Sequence, residues 1–253
     1  MELAPERILA NLRDVRDRLA AAAARSGRTA QAARLVAVTK TVGEDVIRVL
    51  AGAGQKDLGE NRAQQLRDRA AALADLRLAW HMIGRLQRKN VKYVVGAAAM
   101  IHSVDSVELA AEIGKRASAT AGQATASPWQ AGQAEDPTGR AGRATPSPCL
   151  LEVNSGEEQK AGVEPSEAPA VARAIAATPG ISLVGLMTMA PLAETSETVR
   201  PVFAALRELL ARINREAALP RPLTELSMGM TQDYEVAVEE GATIVRVGTA
   251  LFR

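Results

Sequence analysis

The stretch Leu35-Val36-Ala37-Val38-Thr39-Lys40 decides how this chain folds. A short run of β-branched and apolar residues is typical of a buried strand in a parallel sheet. The lysine that closes the run then lies at the carboxyl edge of the sheet, where parallel α/β folds place their chemistry. Only six of the 31 basic residues are lysines, so Lys40 departs from the usual cation of this chain and offers a nitrogen that can lose its proton. The alternative, a solvated cation at a strand end, stays open at this point.

Outward from this run, apolar runs and helical patterns alternate along the chain. Pro5 suits a first helical turn, and the apolar residues after it recur at helical spacing, which predicts an amphipathic opening helix. The predicted strands are 35–39, 57–60, 79–83, 100–104, 149–153, 182–187, 223–227 and 243–247. The predicted helices between most of them are 44–53, 60–74, 105–117, 165–177, 197–217 and 232–240.

Eight such units predict an α/β protein, a single (β/α)8 TIM-type barrel with an extra N-terminal helix, in which residues 1–253 form one domain. A doubly wound open sheet uses the same alternation and remains the alternative architecture. No G-x-G-x-x-G motif follows the first strand, which weakens the dinucleotide-binding version of that alternative.

One segment, at about 117–148, interrupts the alternation. It contains no Val, Ile, Leu, Met or Phe. Such a composition cannot bury enough apolar surface to offset the entropy lost on ordering. We therefore predict a disordered surface insertion before the fifth strand.

The composition excludes several classes of function. Aromatic residues make up 2% of the chain, too few to provide stacking surfaces for single-stranded nucleic acid. The net charge of +2 indicates no polyanionic partner, and one cysteine with two histidines leaves no cluster for structural zinc. No targeting sequence or membrane span is evident, so we expect a cytoplasmic protein that binds neither nucleic acid nor membrane and holds no metal.

Two glycine-containing loops indicate a phosphate site. In (β/α)8 barrels the loops after strands seven and eight commonly bind phosphate, and here they read Ser227-Met228-Gly229-Met230-Thr231 and Gly248-Thr249-Ala250. Glycine lets backbone N–H groups approach an anion, and the hydroxyls add donors. Either loop alone is compatible with an ordinary turn, but together they favour a phosphate site.

An arginine lies within the eighth strand. Strand alternation places Arg246 on the same face as Ile244 and Gly248, and opposite Val245 and Val247. If the valines pack under helices, Arg246 faces the barrel mouth; a structural salt bridge is the alternative. A lysine at one rim, a phosphate site and an arginine between them match what pyridoxal 5′-phosphate (PLP) requires of a protein.

Three further polar residues follow or lie on predicted strands. Asn61 and Asn154 are candidates to bind the 3-oxygen of the cofactor or to orient the imine, although Asn is also common in turns. His81, on the third strand, is a candidate to pack against the cofactor ring. A hydrogen-bonded core histidine is an equally good interpretation of His81.

The chain resembles the pyridoxal-phosphate homeostasis proteins, the YggS/PROSC family. The motifs that carry the resemblance, in family order, are Val36-Ala37-Val38-Thr39-Lys40, Gly59-Glu60-Asn61, Trp80-His81-Met82-Ile83-Gly84-Arg85-Leu86-Gln87, Glu152-Val153-Asn154, Gly185-Leu186-Met187-Thr188-Met189, Leu226-Ser227-Met228-Gly229-Met230 and Val245-Arg246-Val247-Gly248-Thr249-Ala250. The resemblance implies an alanine-racemase-like barrel, with the cofactor as a Schiff base on Lys40 and its ring nitrogen near Arg246. It places the phosphate at Ser227, Gly229, Gly248 and Thr249.

The resemblance also implies a role in vitamin B6 and amino-acid homeostasis without established catalytic turnover, with free amino acids and PLP-dependent apoenzymes as possible partners. The alternative is a PLP-dependent racemase or a related enzyme of low activity. Racemisation needs a base on each face of the imine, and in two-domain relatives a tyrosine of a second domain supplies one. This chain has only Tyr93 and Tyr234, neither at a strand end, so a non-catalytic carrier is the leading hypothesis.

Overall fold

The computed structural model describes residues 4–119, 146–156 and 161–253. Eight parallel strands follow one another around a closed barrel in sequence order, and β8 pairs with β1 to close it. This confirms the (β/α)8 architecture and excludes the open sheet. Each crossover carries the chain back outside the barrel, so all eight strands begin at one end and point their carboxyl ends at the other.

The strands lie close to the predicted positions. They are β1 (Arg34–Val38), β2 (Asp57–Glu60), β3 (Ala79–Met82), β4 (Met100–Val104), β5 (Ser147–Glu152), β6 (Ile181–Met187), β7 (Glu225–Ser227) and β8 (Ile244–Val247). The α-helices are α1 (Pro5–Arg25), α2 (Glu44–Gly52), α3 (Ala63–Ala72), α4 (Val91–Val94), α5 (Val107–Ala119), α6 (Ala168–Ala176), α7 (Arg200–Glu216) and α8 (Tyr234–Glu239). Short 3-10 turns precede α4 and α7, and another follows β8 at Thr249–Leu251.

Strand alternation separates two apolar clusters. The large cluster lies between the strands and the helices, and Val245 and Val247 belong to it. The small cluster fills the barrel interior and consists of Val36, Met100, Leu150, Met187 and Ile244. Because Ile244 points inward and its neighbour Val245 outward, Arg246 also points inward, as the sequence predicted.

The N-terminal helix α1 covers one side of the barrel. Its buried face carries apolar residues at the helical spacing that the sequence shows, among them Ile8, Leu12, Val15 and Leu19. Its outer residues include Arg18 and Arg25, which form ion pairs with acidic residues of α8. At 21 residues α1 is long, but it is too polar to cross a membrane, and no other helix among the described residues has the length and apolar character that crossing requires.

The predicted insertion is shorter than its sequence bounds of 117–148. Residues 117–119 form the last turn of α5, and 147–148 begin β5. The sequence did not indicate these ends of the two elements, because Ala, Ser and Pro do not add to an apolar pattern. In the structure Ala117 is nevertheless buried, and Pro148 pairs with β6. The rest of the predicted insertion, residues 120–145, lies outside the described part of the chain.

Replacing residues 120–145 with a short Gly-Ser linker is expected to leave thermal stability and cofactor binding unchanged. The deleted stretch has no large aliphatic residue, and connections of 2–6 residues commonly join a helix to the next strand of such barrels. Thermal denaturation and absorbance spectra of the two proteins provide the comparison. A fall in melting temperature or a lost cofactor band would show that the segment belongs to the folded unit.

Candidate cofactor site

The carboxyl ends of the strands bring most of the predicted residues to one rim. Lys40 lies two residues beyond β1 and is exposed, and Asn61 directly follows β2. Asn154 lies two residues beyond β5. β8 pairs with β1 so that Arg246 is level with Val36. Lys40 lies four residues after Val36, so it is closer than Arg246 to the carboxyl end of the barrel. The rim thus collects an amine above a buried guanidinium.

Side chains of α3 hold the turn that carries Lys40. Arg69 donates one hydrogen bond to the carbonyl of Thr39, at 2.8 Å, and another to the carbonyl of Val42. It also pairs with the buried carboxylate of Glu60, 2.5 Å away, which in turn accepts a hydrogen bond from the Thr39 hydroxyl at 2.6 Å. The backbone on both sides of Lys40 is therefore fixed to the end of β2 through one ion pair.

Arg69→Met is expected to lower the free energy of unfolding by roughly 3 kcal/mol, because it leaves the fully buried Glu60 without its cation. Urea denaturation measures the change. The double variant Arg69→Met/Glu60→Gln should recover part of the loss, since the unpaired charge is then gone. Arg67→Met, on the exposed side of the same helix, is the control and should change stability by less than ~1 kcal/mol. Equal losses in both single variants would contradict the buried-pair explanation.

Arg246 lies inside the barrel with 4% of its surface exposed. One guanidinium nitrogen donates to the hydroxyl of Ser227 at 2.5 Å, and the other donates to the carbonyl of Thr188 at 2.9 Å. Burial lowers the pKa of Arg246 to about 10, while the carboxylates of Glu152 and Asp233 oppose this shift. The guanidinium is therefore charged at neutral pH without a carboxylate among its hydrogen-bond partners.

Two histidines lie beneath Arg246, and both are fully buried. Nδ1 of His102 lies 2.9 Å from the Ser227 hydroxyl, and its Nε2 lies 2.9 Å from Nδ1 of His81. Nε2 of His81 lies 3.0 Å from Oδ1 of Asp57, at the opposite end of the barrel from Lys40. Burial lowers the pKa of His102 well below its usual value, and the neighbouring His81 and Arg246 add to the effect.

The glycine loops after β7 and β8 lie side by side. The N–H of Ala250 donates to the hydroxyl of Thr231 at 3.4 Å, which joins the two loops. Gly229 has φ of +92°, and a Cβ there would lie 2.6 Å from the Cβ of Ala237 in α8. Gly248 approaches Val38 of β1, and Thr249 starts the short 3-10 turn at the rim. A glycine loop followed by a short helical turn is the arrangement that binds phosphate in barrels of this class.

The two predicted asparagines lie at the rim with different neighbours. Asn154 is buried, donates to the Glu164 carboxylate at 2.9 Å and accepts from the N–H of Gly156 at 3.0 Å. Asn61 is half-buried, and its backbone carbonyl packs against Gly84. A Cβ at position 84 would lie 2.4 Å from the oxygen of that carbonyl. Contacts of Asn61, Asn154 and His81 with a cofactor stay predictions.

Glu152 is a carboxyl group that the sequence analysis did not assign. It ends β5, is 3% exposed, and burial raises its pKa to about 7, with a further contribution from Asp105. Arg246 and Arg85 oppose the shift. The carboxyl group of Glu152 is therefore partly protonated near neutral pH, and it lies two residues before Asn154.

Glu152→Gln is expected to alter how stability depends on pH. The pKa of Glu152 is raised from 4.5 to about 7 in the folded protein, so folding is favoured at low pH, and this contribution is lost as pH rises through 7. The stability of the variant relative to the unmodified protein should therefore rise by roughly 3 kcal/mol between pH 4.5 and 8. Denaturant titrations across this range measure the difference in unfolding free energy between the two proteins. His102 contributes equally to both, so its pH dependence does not affect this difference. Parallel stability curves would contradict the shift.

The sequence analysis assigned no role in the site to three further residues. His102, Asp57 and Glu152 lie on strands β4, β2 and β5, and their side chains interact with the predicted set only through the closed barrel. Strand alternation places His102 on the same face of β4 as Met100, and this could have indicated that it points into the barrel. Because β4 is buried on both faces, however, its sequence does not show which face is the inner one. Within the described ranges, no group of three or more His, Cys, Asp or Glu side chains is arranged to hold a metal.

Comparison with known proteins identifies related sequences. The profile of the alanine racemase N-terminal domain matches residues 10–253. A pyridoxal phosphate homeostasis protein of Aquifex aeolicus is 42% identical over 239 residues, which cover 94% of both chains. A human protein of the same name is 35% identical over 252 residues, covering 95% of this chain and 84% of the human one.

Solved structures agree with these matches. PipY of Synechococcus elongatus, determined with PLP bound, is 33% identical and superposes with a TM-score of 0.73 over 94% of this chain and 100% of its own. Alanine racemase of Clostridium difficile is 13% identical, with a TM-score of 0.69 over 97% of this chain and 56% of its own. At that identity the racemase shares the fold alone.

Proposed function

Because this chain belongs to the family of pyridoxal phosphate homeostasis proteins, we propose that it binds pyridoxal 5′-phosphate at the rim above Arg246. The observation that carries the proposal is the buried guanidinium of Arg246, which shares the rim with the Lys40 strand and the glycine loops. The PLP-bound relative, similar over its whole length, supports the same conclusion.

The residues present fit this cofactor. Lys40 supplies the amine for a Schiff base with the aldehyde, and Arg246 supplies a donor for the ring nitrogen. One hydrogen bond joins the loops around Gly229 and Gly248–Thr249, and Gly229 has a positive φ that favours glycine. Glycine loops of this kind can turn backbone N–H groups toward an anion. When bound, PLP would supply an electrophilic carbon that forms imines with amines.

We further propose that the protein holds and delivers PLP without turning over amino acids. Racemisation requires a second base opposite the lysine. Tyr93 and Tyr234 lie outside the barrel interior, under the guanidinium groups of Arg67 and Arg18 at 4.6 and 5.6 Å from the ring centres. Both rings pack with the apolar cluster between strands and helices, and neither belongs to the cluster of the barrel interior. The arrangement therefore favours storage and transfer over catalysis.

The partners we propose are free amino acids, which compete for the cofactor as amines, and PLP-dependent apoenzymes, which accept it. This role belongs to the cytoplasm. Consistent with a reducing compartment, Cys149 is a buried free thiol whose pKa burial raises to about 12.

Mixing the purified protein with PLP tests the proposal. We expect a visible absorption band that survives gel filtration, and restored activity when the loaded protein is mixed with the apo form of an unrelated PLP enzyme. Free PLP at the concentration released by gel filtration is the control. A protein that emerges from the column without the band would overturn the proposal.

A further inference from the structure

A continuous row of hydrogen bonds crosses the barrel interior from Arg246 to Asp57. Its members are Arg246, Ser227, His102, His81 and Asp57, and the four contacts that join them measure 2.5, 2.9, 2.9 and 3.0 Å. The members come from five strands that lie far apart in sequence. The two imidazole rings meet edge to face at 72°, with their centres 5.1 Å apart.

With neutral imidazoles, the Asp57 end of this row fixes the direction of every bond in it. The Asp57 carboxylate only accepts, so a neutral His81 carries its proton on Nε2 and accepts at Nδ1 from the Nε2–H of His102. A neutral His102 is then bare at Nδ1 and accepts the proton of Ser227, whose oxygen accepts from Arg246. Burial lowers the pKa of His102 and so favours its neutral form. With both rings neutral, no member can reverse its role without breaking a bond.

We propose that Ser227, His102, His81 and Asp57 are positioning residues that hold the guanidinium of Arg246 in one orientation for the ring nitrogen of PLP. This inference rests on the proposed function. The negative end of the row, Asp57, also lies 4.0 Å from Arg34, so the row ends on an ion pair at the opposite end of the barrel. Between the charged ends, all the hydrogen bonds point the same way along the row, so each one polarises and strengthens the next.

The row explains why the barrel interior contains histidines at all. Among the described residues, the interior apolar cluster has five buried members. The side chains of Ser227, His102 and His81 lie between Arg246 and Asp57, and each can accept one hydrogen bond and donate another. A guanidinium held by Thr188 alone would be free to turn about that single contact. With Ser227 as a second, directed acceptor, its remaining N–H groups face a fixed side of the barrel.

The tautomers can be read directly, because His81 and His102 are the only histidines in the chain. Protein labelled with ¹⁵N-histidine contains four ring nitrogens, and long-range proton–nitrogen NMR spectra assign each as protonated or bare. We expect Nε2 protonated and Nδ1 bare in both rings of the cofactor-free protein. An Nδ1–H tautomer or an imidazolium in either ring at pH 7 would overturn the directed row, whether or not the protein binds PLP.

Variants of His102 test the link to Arg246. His102→Leu removes both bonds of the central ring, whereas His102→Gln retains one acceptor and one donor. We expect His102→Leu to shift the visible band of the loaded protein and to raise the Kd for PLP roughly tenfold, the factor expected when a hydrogen bond to a charged group is weakened. His102→Gln should restore both values toward those of the unmodified protein.

Met100→Leu, an interior neighbour on the same strand, is the matched control and should change neither the band nor the Kd. A His102→Leu protein with an unchanged band and Kd would overturn the positioning role while leaving the proposed function intact. An unmodified protein with no band would instead refute the proposed function, and the NMR result would still decide the direction of the row. If His102→Leu fails to fold, Ser227→Ala cuts the row one bond closer to Arg246 and is judged by the position of the band alone, because Ser227 is also a predicted phosphate residue and its loss would change the Kd by itself.

Discussion

Replacing Lys40 with alanine is expected to abolish the visible absorption band that PLP gives with this protein. The band requires an imine between the cofactor and an amine, and among the five lysines that the structure describes only Lys40 follows a strand end at the site. The backbone around Lys40 is tied to β2 through Arg69, so the amine is presented from one fixed turn.

Borohydride reduction of the loaded protein followed by peptide mapping locates the amine. The adduct should appear on the peptide that contains Lys40 and disappear in Lys40→Ala. Lys56→Ala is the matched control, since Lys56 is exposed and donates to the Leu76 carbonyl on the outside of the barrel, and it should keep the band in full. An adduct on Lys56, or a normal band in Lys40→Ala, would refute the assignment.

The loaded protein is expected to exchange the α-proton of alanine orders of magnitude more slowly than a racemase of the same fold. A guanidinium only donates, so in the proposed site Arg246 would face an unprotonated pyridine nitrogen, and an unprotonated ring withdraws electrons weakly. Its pKa of about 10 keeps the donor charged at neutral pH. The carrier hypothesis adds that neither tyrosine of the chain serves as the second base that racemisation requires.

Deuterium incorporation into L- and D-alanine, followed by proton NMR, measures the exchange. Addition of alanine should shift the absorbance, because amines compete for the imine, while deuterium enters only at trace rates. Arg246→Glu should raise the exchange, since a carboxyl group there can share a proton with the ring nitrogen; circular dichroism checks that this variant folds. Exchange at enzyme-like rates in the unmodified protein would refute the carrier hypothesis.

The local patterns of this chain were sufficient to predict where its strands lie. A run such as Leu35–Thr39 is predicted to be a strand both by its β-branched residues and by its place in the β/α alternation of the chain. The alternation of side chains along a strand also predicted that Arg246 points inward. The same patterns failed at 117–119 and 147–148, where small residues and proline carry no apolar signal. They also gave no information on which side chains His102 and Asp57 contact across the barrel.

The sequence by itself determined the barrel, the rim lysine, the glycine loops and the inward arginine, since each depends on a periodicity or a strand end that neighbouring residues define. Only the tertiary structure decided that Arg69 holds the Lys40 turn, that Glu152 is a buried acid with a raised pKa, and that His102 and Asp57 extend the contacts of Arg246 through the barrel. These contacts join strands up to 125 residues apart in sequence. Their energies depend on burial and on hydrogen-bond distance, which closure of the barrel sets and no local pattern encodes.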